Sequence, residues 1–193
     1  MAYTTAAAVK TYLGISSATD DTLIGTLVAA AQSAIDVYTR RTFECTTATA
    51  RLLDAVSDTD PTRQILYLRD DLCTITAVVN GDGVTVTAAQ YVTEPRDTTP
   101  YHALRLKTST QTAWTFTTDQ EGAISVTGKW AYSATAPADV VQAATRLAAW
   151  MYRAKDAQVF ESTAFSEGGT IRVRMDIPAD IKALLDPYRR LVG

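Results

Sequence analysis

The sequence predicts an α+β fold: a bundle of about four helices carrying an inserted small antiparallel β-sandwich or barrel. Three observations predict it. Both ends of the chain repeat apolar residues at spacings of three and four, the period of an amphipathic helix. From Thr42 to Tyr132 threonine, valine and aromatic residues alternate instead, and turn residues interrupt them at short intervals. At Pro137 the helical texture returns. The expected division is residues 1–42 with 133–193 as a helical body with a C-terminal arm, and residues 43–132 as the inserted β-domain.

Thr4 or Thr5 can cap a first short helix through Val9, Tyr12 and Leu13, closed by Gly14. A long helix follows from Asp20 to Tyr38, with Thr19 or Asp20 as cap and acidic residues at the positive end of its dipole. Its inner stripe reads Leu23, Leu27, Ala31, Ala34 and Tyr38, flanked by Ile24, Val28 and Ile35. The alanines on that stripe imply close approach by the other helices. In the middle region Ile75, Ala77 and Val79 share a strand face, Asn80-Gly81-Asp82-Gly83 turns, and Val84 and Val86 return. Leu104 with Leu106, Trp114 with Phe116, and Ile124, Val126 and Trp130 repeat the two-residue period. With residues 46–53 and 64–68 this makes about six to eight short strands. A helix from Pro137 to Asp156 comes next. Glu167-Gly168-Gly169 reads as a loop tip, Ile171, Val173 and Met175 as an extended arm, and Pro178 opens a last helix that Pro187 ends.

Composition bounds the function. The chain has 193 residues, 47% hydrophobic and 20% charged, with a net charge of −3. That balance suits a soluble globular protein and argues against general nucleic-acid binding, which needs a basic excess. Cys45 and Cys73 lack the spacing of a zinc site or a redox pair and read as free thiols in a reducing compartment. The opening MAYTTAAAVK does not have the pattern of a signal peptide, and the longest apolar run, from Leu147 to Tyr152, is too short to cross a bilayer.

Catalytic machinery is not signalled. His102 is the single histidine and stands in a loop-like stretch with no nucleophile elbow. Asp20-Asp21 reads as a helix start and Asp70-Asp71 as a turn between strands. The stretch from Ser166 to Thr170 has no lysine beside it and no strand-to-helix setting, so it is not a phosphate cradle. The expectation is no catalytic residue, no cofactor and no metal. Trp114, Phe116 and Trp130 support an alternative, a ligand- or carbohydrate-binding β-module. Enzyme action through His102 and acidic residues ranks last. The basic pairs Arg172 with Arg174 and Arg189 with Arg190 lie on a loop and a tail that a core does not require, the kind of extension that reaches a partner.

Four segments taken in order, VKTYLGI (9–15), DDTLIGTLVAAAQSAIDVYTRRTF (20–43), PADVVQAATRLAAWMYRAKD (137–156) and IPADIKALLDPYRRL (177–191), resemble the head–tail connector (adaptor) proteins of long-tailed bacteriophages. The resemblance covers about half of the chain, and the β-region is longer than in the smallest members. It implies a non-enzymatic protein of the virion neck, assembled in the host cytoplasm. Such subunits form a homo-oligomeric ring, usually of twelve copies, that docks on the portal protein. A stopper or tail-terminator protein lies below, and DNA passes through the channel without specific recognition; no membrane is involved. Carried onto this sequence, portal contact falls to Ile181, Leu184, Leu185, Tyr188, Arg189, Arg190 and Leu191. Contact with a neighbouring subunit or the channel falls to Glu167, Gly168, Gly169, Arg172 and Arg174.

Overall fold

A computed structural model describes residues 2–156, 164–166, 169–171 and 177–190. The chain divides into two units, Arg41–Ala136 and a second made of Ala2–Arg40 with Pro137–Gly193. The fold class is the α+β one predicted from sequence. Among the described residues there are four α-helices, one sheet of three strands, one of four and one of two. Both larger sheets are open, so the β-region is not a closed barrel.

In the helical unit α1 spans Ala6–Leu13. Thr5 caps it by accepting from the Ala8 amide, and Gly14 closes it in the left-handed conformation at φ 73°. α2 is Asp21–Thr39, 19 residues or about 28 Å. α3 is Ala138–Asp156 and α4 is Ala179–Leu185, followed by a 3₁₀ turn over Asp186–Tyr188 that contains Pro187. The proline has no amide hydrogen to continue α4, so the chain tightens and leaves the helix there.

The long helix buries a different stripe from the expected one. Ile24, Val28, Ala31, Ile35 and Thr39 are the buried positions, whereas Leu23 is 38% exposed and Ala29 and Ala30 face outward. Both stripes satisfy the three-and-four spacing, and the one that carries Ile24, Val28 and Ile35 is the one buried. The hub of the unit is α3, which packs against α1, α2 and α4. Its Ala143, Ala144, Ala148 and Ala149 are all buried, and these small side chains let three helices close on it around Val140 and Leu147. Ile181 and Leu185 of α4 complete this core.

The β-unit contains β1 (Thr49–Leu53), β2 (Thr59–Asp60), β3 (Ile65–Leu72), β4 (Thr74–Val79), β5 (Tyr91–Glu94), β6 (Tyr101–Leu106) and β7 (Ile124–Lys129). The sheets run β1-β7-β4 and β2-β3-β6-β5, all pairs antiparallel. One core holds them together: Leu53, Val78, Ile124 and Val126 from the first, Leu66, Leu72, Leu104 and Leu106 from the second. Val84 to Val86 and Trp114 to Phe116 do not form strands. They make single bridges, Val79 to Thr85 and Gly81 to Phe116. The Asn80 turn is present, its amide donating to the Val84 carbonyl at 2.9 Å.

Gly128 in the middle strand β7 shows how tightly this unit is built. A Cβ there would stand 2.1 Å from the Thr74 carbonyl oxygen and 2.8 Å from Leu72 Cδ1. Backbone in a paired strand cannot retreat. Gly128→Ala is therefore expected to destabilise the β-unit by about 2 kcal/mol, read as a lowered denaturation midpoint.

β8 (Ala164–Ser166) and β9 (Gly169–Ile171) pair antiparallel, registered Ala164 to Ile171 and Ser166 to Gly169. Of the loop and arm candidates, Gly169 opens β9, while Glu167, Gly168, Arg172 and Arg174 lie outside the described residues. So does Leu191.

Candidate functional site

The last helix and the segment after it hold most of the residues singled out for partner contact. Ile181 and Leu185, 2% and 0% exposed, point into the helical core and position the segment. Leu184 is half-buried. After the Pro187 turn, the chain lies along the C-terminal end of α2. The Tyr38 hydroxyl donates to Asp186 Oδ1 at 2.5 Å, and the Arg189 guanidinium and Lys182 ammonium stand 5.1 and 5.8 Å from the Tyr38 ring centre. Such cation–ring contacts are worth about 0.5–1 kcal/mol each at exposed sites. The Arg190 amide donates to the Thr39 carbonyl at 2.9 Å, and the Tyr188 hydroxyl to Asp139 at 3.3 Å. Arg146 of α3 pairs with Asp180 at the start of α4. Sequence reasoning assigned Tyr38 to a core stripe and missed its role here. The available signal was its place in the last turn of α2, one turn from the free carbonyls of the helix end.

A second surface lies on α2 itself. Its outer side presents Thr22, Thr26, Ala29, Ala30, Ser33 and Val37, all exposed, with Val37 at 76%. Between Asp21 and Arg40 the helix has one charged residue, Asp36. That carboxylate faces the bundle and accepts from the Tyr3 hydroxyl at 2.5 Å, while burial holds its pKa above the ordinary carboxylate value. The outer face is thus uncharged and small along the helix. Raised acid pKa means the neutral form is favoured in the folded state. Stability from Asp36 is then fullest below its unfolded pKa and is lost as pH rises through the folded one. Asp36→Asn keeps an acceptor for Tyr3 and is expected to raise Tm near pH 7, with the difference closing towards pH 3; equal Tm values at both would contradict this.

At the other end of α2, Asp20 is not a side-chain cap. Its carboxylate accepts from the Tyr152 hydroxyl and from Lys155 of α3 at 3.1 Å, and these bonds hold its pKa below the usual range. The Lys155 ammonium also stands 4.3 Å from the Tyr152 ring centre. This triad ties the last turn of α3 to the start of α2.

In the β-unit several carboxylates are held in ion pairs. Asp70 and Asp71 lie inside β3, not in a turn; Asp70 pairs with Arg51 and Asp71 with Arg41, the latter at 2.6 Å with both side chains mostly buried. Arg69 clasps Asp54 and Asp58, each at 2.7 Å. His102 is on β6, exposed, instead of in a loop. No group of three metal-ligating side chains occurs among the described residues. The aromatic residues of the binding-module reading are largely committed to the core: Trp130 is 5% exposed, its Nε1 donates to the Thr49 carbonyl at 3.0 Å, and Arg51 lies over its ring. Trp114 donates to the Gln64 carbonyl at 3.1 Å; Phe116 alone of the three is exposed, at 43%. A cavity of about 460 Å³ opens between β4 and β5, lined by Cys73, Thr74, Tyr91, Arg96 and Tyr101. Burial raises the Tyr91 hydroxyl pKa, with a smaller contribution from Tyr101. The Cys73 thiol donates to the Lys129 carbonyl at 3.4 Å and its sulfur accepts from the Thr74 hydroxyl at 3.8 Å.

The described residues present two candidate surfaces, the outer side of α2 and the segment after α4. The model of the head completion protein family matches residues 2–191. The chain belongs to that family. Its fold is shared with chains from gene transfer agent particles. One comes from the neck of the empty particle computed with C6 symmetry, at 19% identity and a TM-score of 0.57, covering 97% of this chain and 91% of that one. Another, from the virion of the native particle, gives 19%, 0.55 and the same coverage. A third, from the neck of the native particle computed with C12 symmetry, gives 18% and 0.54, covering 97% and 90%. A search among curated proteins returns no match. Membership of that family makes the chain a structural component of a phage particle, in agreement with the resemblance read from its helices.

Proposed function

We propose that this chain is a non-enzymatic ring subunit of the virion neck, docking on the portal protein and continuing the DNA channel towards the tail. The observation that carries the reading is the uncharged outer face of α2 in a protein of this family. Small side chains let a neighbouring subunit approach its backbone closely, and no desolvated charge opposes the contact. A ring uses heterologous contacts, so a different face of the next copy would meet α2. Twelve copies is the number the reading takes, consonant with the C12 neck among the shared folds. Leu184, Tyr188, Arg189 and Arg190 offer the exposed side of the portal contact, with Leu191 beyond the described residues, and Ile181 and Leu185 anchor it from within. The arm with Glu167, Gly168, Gly169, Arg172 and Arg174 faces a neighbour or the channel. A stopper or tail terminator binds below, and DNA passes without sequence recognition, as suits a chain of net charge −3. Assembly takes place in the host cytoplasm.

The test is genetic. Cells producing particles without this gene are expected to accumulate DNA-filled heads apart from tails. Complete particles in that background would overturn the reading.

A further inference from the structure

We propose that the cavity between β4 and β5 is a docking slot for an extended acidic segment of a partner protein, which adds a strand to β5 and sets one apolar side chain between Tyr91 and Tyr101. The inference stands apart from the neck reading, because every residue it uses belongs to the β-unit.

The slot is bounded by two strands that each end a sheet, β5 in β2-β3-β6-β5 and β4 in β1-β7-β4. Opposite Tyr91, the Leu106 amide turns away to the Gln64 carbonyl at 2.9 Å, while the Lys107 amide bonds the Gln90 carbonyl at 2.8 Å. Tyr91 is therefore a non-bonded position of the ladder, and by its alternation Thr93 is the next. Their amides and carbonyls point out of the sheet edge and pair with no described backbone group. On β4 the far half of the edge is covered, the Val86 amide donating to the Val78 carbonyl at 2.8 Å, whereas Thr74 and Ile75 line the cavity. A volume of about 460 Å³ is within the range of sites that take a side chain or a small ligand. Tyr91 and Tyr101 are half-buried against the core, and their hydroxyls bond to no described residue. An open edge for main-chain bonds beside a pocket for a side chain is the arrangement by which an extended peptide joins a sheet.

Charge selects the segment. Arg41, Arg51, Arg63, Arg69 and Arg105 are each paired with a carboxylate of the same unit. Arg96, exposed on the rim of the cavity, is the arginine of this unit that has no such partner among the described residues. Its planar fork is matched by a carboxylate brought from outside. Asp97 beside it also has no ion pair, but neither do Asp82, Asp119 and Glu121, so an unpaired acid is ordinary in this unit and an unpaired arginine is not. Asp97 lines the same cavity and opposes an incoming acid, which tempers the affinity.

The probe is a library of short random peptides, selected on the full-length chain. The enriched peptides are expected to carry an acidic residue close to an aromatic or branched aliphatic one. Made synthetically and labelled with fluorescein, they are titrated against four variants. Arg96→Glu is expected to weaken binding about tenfold or more, and Asp97→Asn to tighten it. Ala88→Trp, which fills the cavity from an exposed position, and Thr93→Pro, which removes an amide that faces the open edge, are each expected to weaken it about tenfold. Arg96 and Ala88 are exposed, so those variants keep the fold and decide the matter even where Thr93→Pro does not fold. A library from which nothing is enriched overturns the slot, and so do peptides bound equally by wild type, Arg96→Glu and Ala88→Trp. Peptides weakened by Ala88→Trp but indifferent to Arg96→Glu and without acidic residues overturn the acidic partner.

Discussion

Deleting Tyr188–Gly193 is expected to leave a folded subunit that no longer binds the portal. The helical core ends before the cut, at Leu185, which is fully buried. Among the contacts the deletion removes are the Tyr188 bond to Asp139, the Arg189 contacts with Tyr38 and Asp186 and the Arg190 amide on Thr39. These are solvent-facing contacts whose joint loss costs about 1–2 kcal/mol, a fall of a few degrees in Tm. Portal affinity is expected to fall by about a hundredfold or more, because aromatic and arginine side chains dominate interface energies. Calorimetry and co-sedimentation with portal separate the two effects. A truncated protein that melts slightly lower and still binds portal normally would remove the tail from the docking surface.

Ser33→Glu is expected to abolish the ring while leaving the monomer intact. Ser33 lies near the middle of the outer face of α2, exposed in the subunit, and glutamate has the better helix propensity. The substitution therefore costs the isolated fold nothing. In the ring every contact would acquire a buried carboxylate without a partner, a penalty of several kcal/mol per interface. Ser33→Ala removes only the hydroxyl and is expected to assemble. Sedimentation of the two variants and the parent, under conditions where the parent forms rings, reads the difference. Rings of normal stability from Ser33→Glu would place the subunit contact elsewhere.

These expectations depend on details that were unevenly legible in the sequence. The four helices and their order could be read because capping residues, Gly14, Pro137 and Pro187 punctuate them. Which stripe of α2 turns inward could not. The helix is apolar almost all round, so two stripes one residue apart fit the same period, and packing against α3 chose between them. For the same reason α2 was expected to be the hub, whereas the alanines of α3 are the buried ones. In the β-region, β4 and β7 follow their two-residue alternation. β5 was missed because Tyr91–Glu94 is short and half-buried throughout, with no face to alternate. The segments with Val84 and Trp114 alternate as strands do, yet each contributes a single bridge, since alternation specifies a pleated face and not a pairing partner. The basic tail was legible as a partner-seeking extension. That Tyr38, 148 residues before Asp186, would hold it was not, because no local pattern encodes a contact at that separation.

The most direct test of the central claim is a reconstruction of the purified protein mixed with portal protein from the same genome. The account predicts one added ring, coaxial with the portal on its tail-facing side, with α2 at the subunit contacts and the residues after Leu185 extended into the portal. A portal bearing no added ring, or a ring joined through the β-unit with α2 facing solvent, would contradict it.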